Sequence, residues 1–176
     1  MDYFLMKQYE EIKYNAEIKF DFLKRKEIWR EEEPLFFSQN NTEEKIYLPF
    51  MDCGICVVSK EVKKILDAYQ NGIKSRPIII ADNNMKKSDI FYAVKVREID
   101  CLGNSTIYKN KEVQKIYLNS DKIGYEKVFQ IKGISDRHIV VDLEVMEKLL
   151  RENITAFYAE RLEQERSEMI WEKNML

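Results

Sequence analysis

The chain has 176 residues, of which 45% are hydrophobic and 34% charged, with 29 basic and 31 acidic side chains. Length and composition are typical of one globular domain with a core of useful size. The near balance of charge argues against broad electrostatic binding to nucleic acid, which needs a basic face. Five glycines and three prolines exclude a long linker and a low-complexity or collagen-like chain.

The first residues, MDYFLMKQYEE, are not typical of a secretory signal, because the apolar run is four residues long and an acid stands at position 2. No stretch approaches the ~20 apolar residues that a membrane span requires. Three cysteines, a sparse and odd count, suit a reducing compartment. We therefore predict a cytoplasmic protein with neither a membrane nor a nucleic acid as its partner.

The N-terminal part, residues 1–45, is predicted to hold strands and an acidic loop. Alternating apolar residues at Ile18, Phe20 and Phe22 are typical of a half-buried strand. Residues 30–44, REEEPLFFSQNNTEE, predict a loop with one apolar anchor. Residues 46–50 are the next strand candidate.

A strand, a cap and a helix follow. Residues 55–58, ICVV, predict a short strand, and Ser59 is a good helix N-cap. Apolar residues then recur at helical spacing, at Val62, Ile65, Leu66 and Tyr69. Asn71-Gly72 predicts the end of the helix, and residues 77–80, PIII, predict a buried strand.

The middle of the chain is rich in strand patterns, at residues 90–99, 113–119 and 127–131. Near the end the strand–cap–helix pattern returns at an offset of 83 residues. The five matching pairs are Val57 and Val140, Val58 and Val141, Glu61 and Glu144, Val62 and Val145, and Leu66 and Leu149. The pattern is compatible with an internal duplication and with two independent uses of one local solution.

Together these patterns predict an α+β fold. We expect a mixed, mostly antiparallel sheet with two similar strand–cap–helix units and a C-terminal helix. Residues 1–176 would form a single domain, with a variable part at 1–45, a core at 46–162 and a terminal helix at 163–176. That helix is expected to dock on the domain, or to meet a partner or a second copy of the chain.

Cys53 and Cys56 form a CxxC motif, which raises the question of redox or zinc chemistry. If residues 53–58 are extended, side chains three apart point to opposite faces, so the two thiols cannot act together. Only Cys101 and His138 remain to complete a four-ligand zinc site. We favour structural cysteines, with a thiol redox or metal-binding protein as the alternative.

No nucleophile elbow, Walker loop, HExxH or dinucleotide fingerprint is present in the sequence. We predict no catalytic residue, cofactor or metal. The candidate partner-binding residues are Trp29, Glu31, Glu32 and Glu33, an acidic run beside a tryptophan. A solvated loop beside a buried tryptophan is the alternative interpretation.

Several segments resemble a bacterial family of immunity proteins from polymorphic toxin systems, formerly an uncharacterised domain family. The similar positions are Asp52, Gly54 and Ser59, residues 92–102, Phe129, Ile131 and Gly133, residues 140–150, and Phe157. The chain departs from the family at Thr155-Ala156, where the family usually has a glycine. The resemblance implies a non-enzymatic protein that binds a cognate toxin and blocks it by occlusion. Its rivals are the thiol protein named above and a scaffold or oligomer subunit that uses the C-terminal helix.

Overall fold

The computed structural model describes residues 1–9, 27–30, 33–40, 47–109, 112–134 and 138–165. The helices within this part of the chain are α1 (Lys60–Tyr69) and α2 (Leu143–Arg151). Its strands are β1 (Tyr3–Gln8), β2 (Leu35–Gln39), β3 (Phe50–Asp52), β4 (Cys56–Ser59), β5 (Lys74–Asp82), β6 (Lys87–Lys95), β7 (Glu98–Ile99), β8 (Ile107–Lys109), β9 (Glu112–Lys115), β10 (Tyr117–Leu118), β11 (Val128–Ile131), β12 (Ile139–Asp142), β13 (Phe157–Arg161) and β14 (Glu163–Gln164).

Ten of these strands form two five-stranded sheets. Sheet A has the order β13-β1-β12-β11-β7, and sheet B has the order β2-β5-β6-β4-β3. Most neighbouring strands are antiparallel, while β2–β5 and β7–β11 are parallel pairs. The predicted α+β class and mostly antiparallel pairing are confirmed. The division into two sheets has no local signature, because it depends on pairings between distant segments.

The two predicted strand–cap–helix units are confirmed, and the similarity extends to a third element. β4 and β12, α1 and α2, and β5 and β13 each begin 83 residues apart. In both units the strands on either side of the helix are parallel to each other, and one antiparallel strand lies between them. This is a split β-α-β arrangement.

The strand in the middle of each unit has a different origin. In sheet B it is β6, which directly follows β5, whereas in sheet A it is β1, which comes from the N-terminus. Each unit also begins with a strand that pairs antiparallel with the next, β3 with β4 and β11 with β12. The four-stranded units therefore share one topology up to a circular permutation, while the fifth strands differ, since β2 lies beside β5 in sheet B and β7 lies beside β11 in sheet A.

Both helices begin with the capping bond that the sequence predicts. The Ser59 hydroxyl accepts the Val62 N–H at 3.3 Å, and the Asp142 carboxylate accepts the Val145 N–H at 2.9 Å. Each cap satisfies one N–H that the first turn of a helix leaves unpaired. Each helix then buries one apolar stripe, formed by Val62, Ile65 and Leu66 in α1 and by Val145, Met146 and Leu149 in α2.

Three apolar clusters make up the core. The central cluster joins both helices to one face of each sheet, with members such as Met6, Val58, Leu66, Val141 and Leu149. A second cluster, the rear cluster of sheet B, lies on the opposite face of that sheet and includes Ile28, Met51, Val57 and Ile78. A third, the rear cluster of sheet A, includes Leu5, Leu118, Phe129 and Val140.

Several expectations need correction or fall outside the described residues. Residues 77–80 are not wholly buried, because only Ile78 and Ile80 face the core while Pro77 and Ile79 lie on the other face. The loop predicted at residues 30–44 contains the strand β2 at Leu35–Gln39, and the candidate strand at residues 46–50 begins only at Phe50. The predicted terminal helix, residues 163–176, starts with the short strand β14, and residues 166–176 lie outside the described part. The strand predicted at Ile18–Phe22 also lies outside it.

None of the helices in the described ranges is long and apolar enough to cross a membrane.

Candidate protein-binding surface

Trp29, the first predicted contact residue, is half-buried and packs against the rear cluster of sheet B. Arg76 holds its segment in place. The Arg76 guanidinium is itself buried, and it donates to the Ile28 carbonyl at 2.9 Å and to the Glu33 carbonyl at 2.7 Å. The tryptophan is therefore part of a fixed segment behind the sheet.

Sequence reasoning missed Arg76, although strand alternation contained the signal. Position 76 is in phase with the buried residues Ile78 and Ile80. A buried arginine needs acceptors, and here backbone carbonyls supply them.

The predicted acidic run is only partly visible in the structure. Glu33 is exposed, while Glu31 and Glu32 lie outside the described residues. Glu33 comes two residues before β2, so its side chain belongs to the edge of sheet B. Its role in partner binding stays a prediction.

The CxxC motif lies in a hairpin turn, which corrects the expectation of an extended chain. β3 and β4 pair antiparallel, with Asp52 opposite Cys56. Gly54 takes a φ of 82°, and its N–H donates to the Asp52 carboxylate at 2.9 Å. A non-glycine residue seldom adopts this conformation, and the Asp52 contact is an Asx-type turn.

The cysteines of the motif nevertheless lie in different environments. Cys53 packs in the rear cluster of sheet B and Cys56 in the central cluster, so the two buried side chains belong to opposite faces of that sheet. Cys101 is buried in the rear cluster of sheet A, and burial raises the pKa of its thiol to about 11. A thiol with such a pKa is a weak nucleophile at neutral pH.

No group of three or more His, Cys, Asp or Glu side chains in the described ranges could hold a metal ion. His138 is half-buried and lies directly before β12.

α1 covers only part of one face of sheet B. α1 packs on β4 and β6, and the side chains farther along this face are exposed or half-exposed. We call this the uncovered face, and its members are Phe36, Ser38, Pro77, Ile79, Ala81, Ser88 and Ile90. All seven are uncharged, in a chain where 34% of residues carry charge.

An apolar row crosses the uncovered face. Phe36 on β2 is paired with Ile79 on β5, and Ile79 is paired with Ile90 on β6. Phe36 is 74% exposed and Ile90 is 51% exposed. Since cross-strand partners share a face, these three side chains form one continuous apolar ridge that solvent reaches. Contiguous exposed apolar surface of this kind marks interaction sites more often than scattered single residues do.

The rim of this face carries charge of both signs. On the α1 side, Lys60 is exposed, and the Lys63 ammonium pairs with Asp67 and lies 5.3 Å from the centre of the Tyr92 ring. Tyr92 is the cross-strand partner of Pro77, so this ring marks the edge of the helix-covered area.

A separate feature is a cleft of about 280 Å³ between one side of α1 and the C-terminal end of α2. Its apolar lining comes from Ile65, Ala68, Tyr69 and Ile154, and its charged lining from Glu61, Lys64, Lys148 and Glu152. Lys148 pairs with Glu152 across one helical turn. The cleft is slightly smaller than the ~300–1,000 Å³ of typical ligand pockets, and its charges cancel.

The residues that carry the family resemblance have structural roles. Asp52 and Gly54 form the hairpin turn, Ser59 caps α1, and Gly133 has a φ of 85° in the turn after β11. The resemblance therefore rests on residues that form turns and a helix cap. Comparison of the chain with family models and with curated proteins gives no match.

Proposed function

We propose that this chain is a non-enzymatic immunity-type protein that binds a toxin encoded beside it and neutralises it by occlusion. The resemblance motivates the class of function. The observation that carries the proposal is the uncovered face, which presents an apolar ridge without any charged side chain. A surface that must cover a cleft on another protein needs a desolvated apolar centre and a polar rim.

The size of this face bears on what occupies it. Its three strands lie ~4.8 Å apart, and residues on one face of a strand repeat every ~7 Å, so the ridge and its neighbours span only a few hundred Å². A stable specific interface buries ~800 Å² on each partner. Stacking two copies on this face alone would therefore be insufficient. A partner protein that also reaches the charged rim supplies the missing area.

The rim suggests the chemistry of that partner. Lys60, which is exposed on the α1 side, favours an acidic group on the toxin there, whereas Lys63 is already paired with Asp67. Aromatic side chains contribute strongly to binding when they fill a pocket on the partner, and Phe36 is the aromatic residue of the ridge.

Co-expression tests the proposal. The toxin gene adjacent to this gene is expressed alone, with this chain, and with an unrelated protein of similar size. We expect cells to survive only with this chain, and the two proteins to purify together. Survival and co-purification that do not depend on this chain would contradict the proposal.

If the protein acted through its thiols, substitution of the CxxC cysteines would abolish its function. Because Cys53 and Cys56 lie in different apolar clusters, we expect the Cys53→Ser, Cys56→Ser double variant to lose stability but to neutralise the toxin fully wherever it stays folded. Thermal unfolding monitors folding in this experiment, and cell survival monitors function. A double variant that folds but does not protect the cells from the toxin would favour a thiol-based activity.

A further inference from the structure

The end of the described chain, residues 163–165, forms a strap across the segment behind sheet A. β14 lies parallel to β10. The Glu163 carboxylate pairs with the Lys115 ammonium at 2.7 Å, and Gln164 accepts the Ser120 hydroxyl at 2.6 Å. Leu162, just before the strap, is buried, and its N–H donates to the Tyr3 carbonyl at 2.9 Å. The strap thus begins at a firm anchor and follows β10.

Glu165 ends the strap in a turn formed by residues 103–105. Its own N–H donates to the Leu118 carbonyl at 2.9 Å, and its carboxylate accepts the backbone N–H of Ser105. That N–H is the main cause that lowers the pKa of Glu165, and a hydrogen bond from the Ser105 side chain is the next. The backbone of Asn104 and the charge of Lys122 act in the same direction. Successive backbone N–H groups that converge on one anion form a nest.

Gly103 forms the floor of this nest. A Cβ atom at position 103 would lie 2.5 Å from the Glu165 carboxyl carbon and 2.8 Å from each of its oxygens. The carboxylate therefore occupies the space that any other residue at 103 would fill. Gly103 is not among the residues with positive φ, so alanine fits the backbone there, and the three atoms nearest to its methyl group would all belong to the Glu165 carboxylate.

We propose that the turn at residues 103–105 is an anion-binding site, selective for carboxylate or phosphate oxygens, that the chain fills with its own Glu165. This internal ligand fastens the end of the strap at Glu165, beyond the β14–β10 pairing and the Glu163–Lys115 ion pair. When the ligand is removed, this end of the strap opens more easily, and an external anion enters the same nest. The inference does not depend on toxin binding.

Three variants test both parts of this inference: Glu165→Ala, Gly103→Ala and the double variant. The first readout is amide hydrogen exchange at Ser105 and at position 165, measured by NMR. We expect both amides to exchange at least about tenfold faster in each single variant, because local opening becomes easier. The double variant should match the single variants, since both changes remove one contact. The Leu162 amide, which binds outside the strap, should stay protected and shows that the domain remains folded.

The second readout is titration with inorganic phosphate. We expect the Ser105 amide signal to shift and saturate in Glu165→Ala, where the nest is empty. It should not respond in the wild type, where Glu165 fills the nest, or in the double variant, where the methyl group of residue 103 fills it. A Gly103→Ala protein with wild-type exchange at both amides would overturn the strap. A lack of response in Glu165→Ala, or an equal response in the double variant, would overturn the anion site.

Discussion

Asp142 both stabilises and destabilises the folded state. It is fully buried, and one carboxylate oxygen caps α2 while the other has no hydrogen-bond partner among the described residues. Burial, the main cause, raises the pKa of Asp142 above its ordinary 3.8. The folded state then holds the proton more tightly than the unfolded chain. The free energy of unfolding therefore falls as pH rises from the ordinary pKa through the folded one.

Substitutions at the two caps separate these effects. Asp142→Asn keeps a capping oxygen and removes the charge, so we expect it to be at least as stable as the wild type at neutral pH and less dependent on pH. Asp142→Ala should lose ~1 kcal/mol through the cap. Ser59→Ala, the equivalent cap without a titrating group, should lose ~1 kcal/mol at every pH.

Urea unfolding at several values between about pH 4 and pH 7 measures these differences. A wild-type pH slope in the Asp142→Asn protein would contradict the account of Asp142.

At the scale of the element, β5 is the strand whose burial differs most from the burial that the sequence predicted. The run of residues 77–80 predicts full burial, but alternation in a sheet with one open face buries only every second residue. An apolar residue on the outer face has the same local pattern as a core residue. The pattern could therefore not distinguish an interaction surface from a core strand.

A matched pair of neighbours tests this assignment. Ile80→Ala should cost ~2–5 kcal/mol because Ile80 is buried in the rear cluster of sheet B. Ile79→Ala, one residue away on the uncovered face, should cost less than ~1 kcal/mol. Chemical denaturation of both variants gives the comparison, and equal losses would place Ile79 in a core.

The elements that depend on neighbours in sequence were predictable, and those that depend on distant pairing were not. Ser59 with the stripe from Val62 to Tyr69 predicted α1 correctly, because caps and helical spacing are local signals. The hairpin around Gly54 was missed although Asp52 and Gly54 are turn residues. The apolar run after them led us to treat residues 53–58 as extended. The uncovered face was missed because it depends on which strands lie side by side, whereas Arg76 was missed although alternation places it in phase with Ile78 and Ile80.

At the scale of the whole molecule, the two halves differ mainly in where the chain enters. β1 occupies in sheet A the place that β6 occupies in sheet B. The chain ends of the described part are adjacent, since the Arg161 guanidinium pairs with the Asp2 carboxylate at 2.9 Å and Gln164 donates to the Met1 carbonyl. A permuted chain can therefore make the second unit continuous without moving any strand.

We expect a permutant that starts at Tyr125 and joins residue 176 to residue 1 to fold into the same structure. Tyr125 is fully exposed in a turn, where new termini are tolerated. The loss of unfolding free energy should stay below ~2 kcal/mol. A permutant opened inside α1 is the control and should not fold. Circular dichroism and urea unfolding measure both, and an unfolded Tyr125 permutant would refute the equivalence of β1 and β6.

The most direct test of the whole account is the dissociation constant between the purified adjacent toxin and three forms of this chain. Phe36→Asp places a charge at the β2 end of the apolar ridge, and Tyr125→Asp places the same charge at another exposed aromatic residue, outside the uncovered face. We predict that Phe36→Asp weakens binding at least about a hundredfold, as expected for an aromatic contact that contributes strongly to binding, while Tyr125→Asp binds like the wild type and both variants keep wild-type stability. Tight binding by Phe36→Asp would contradict the claim that the uncovered face is the toxin-binding surface.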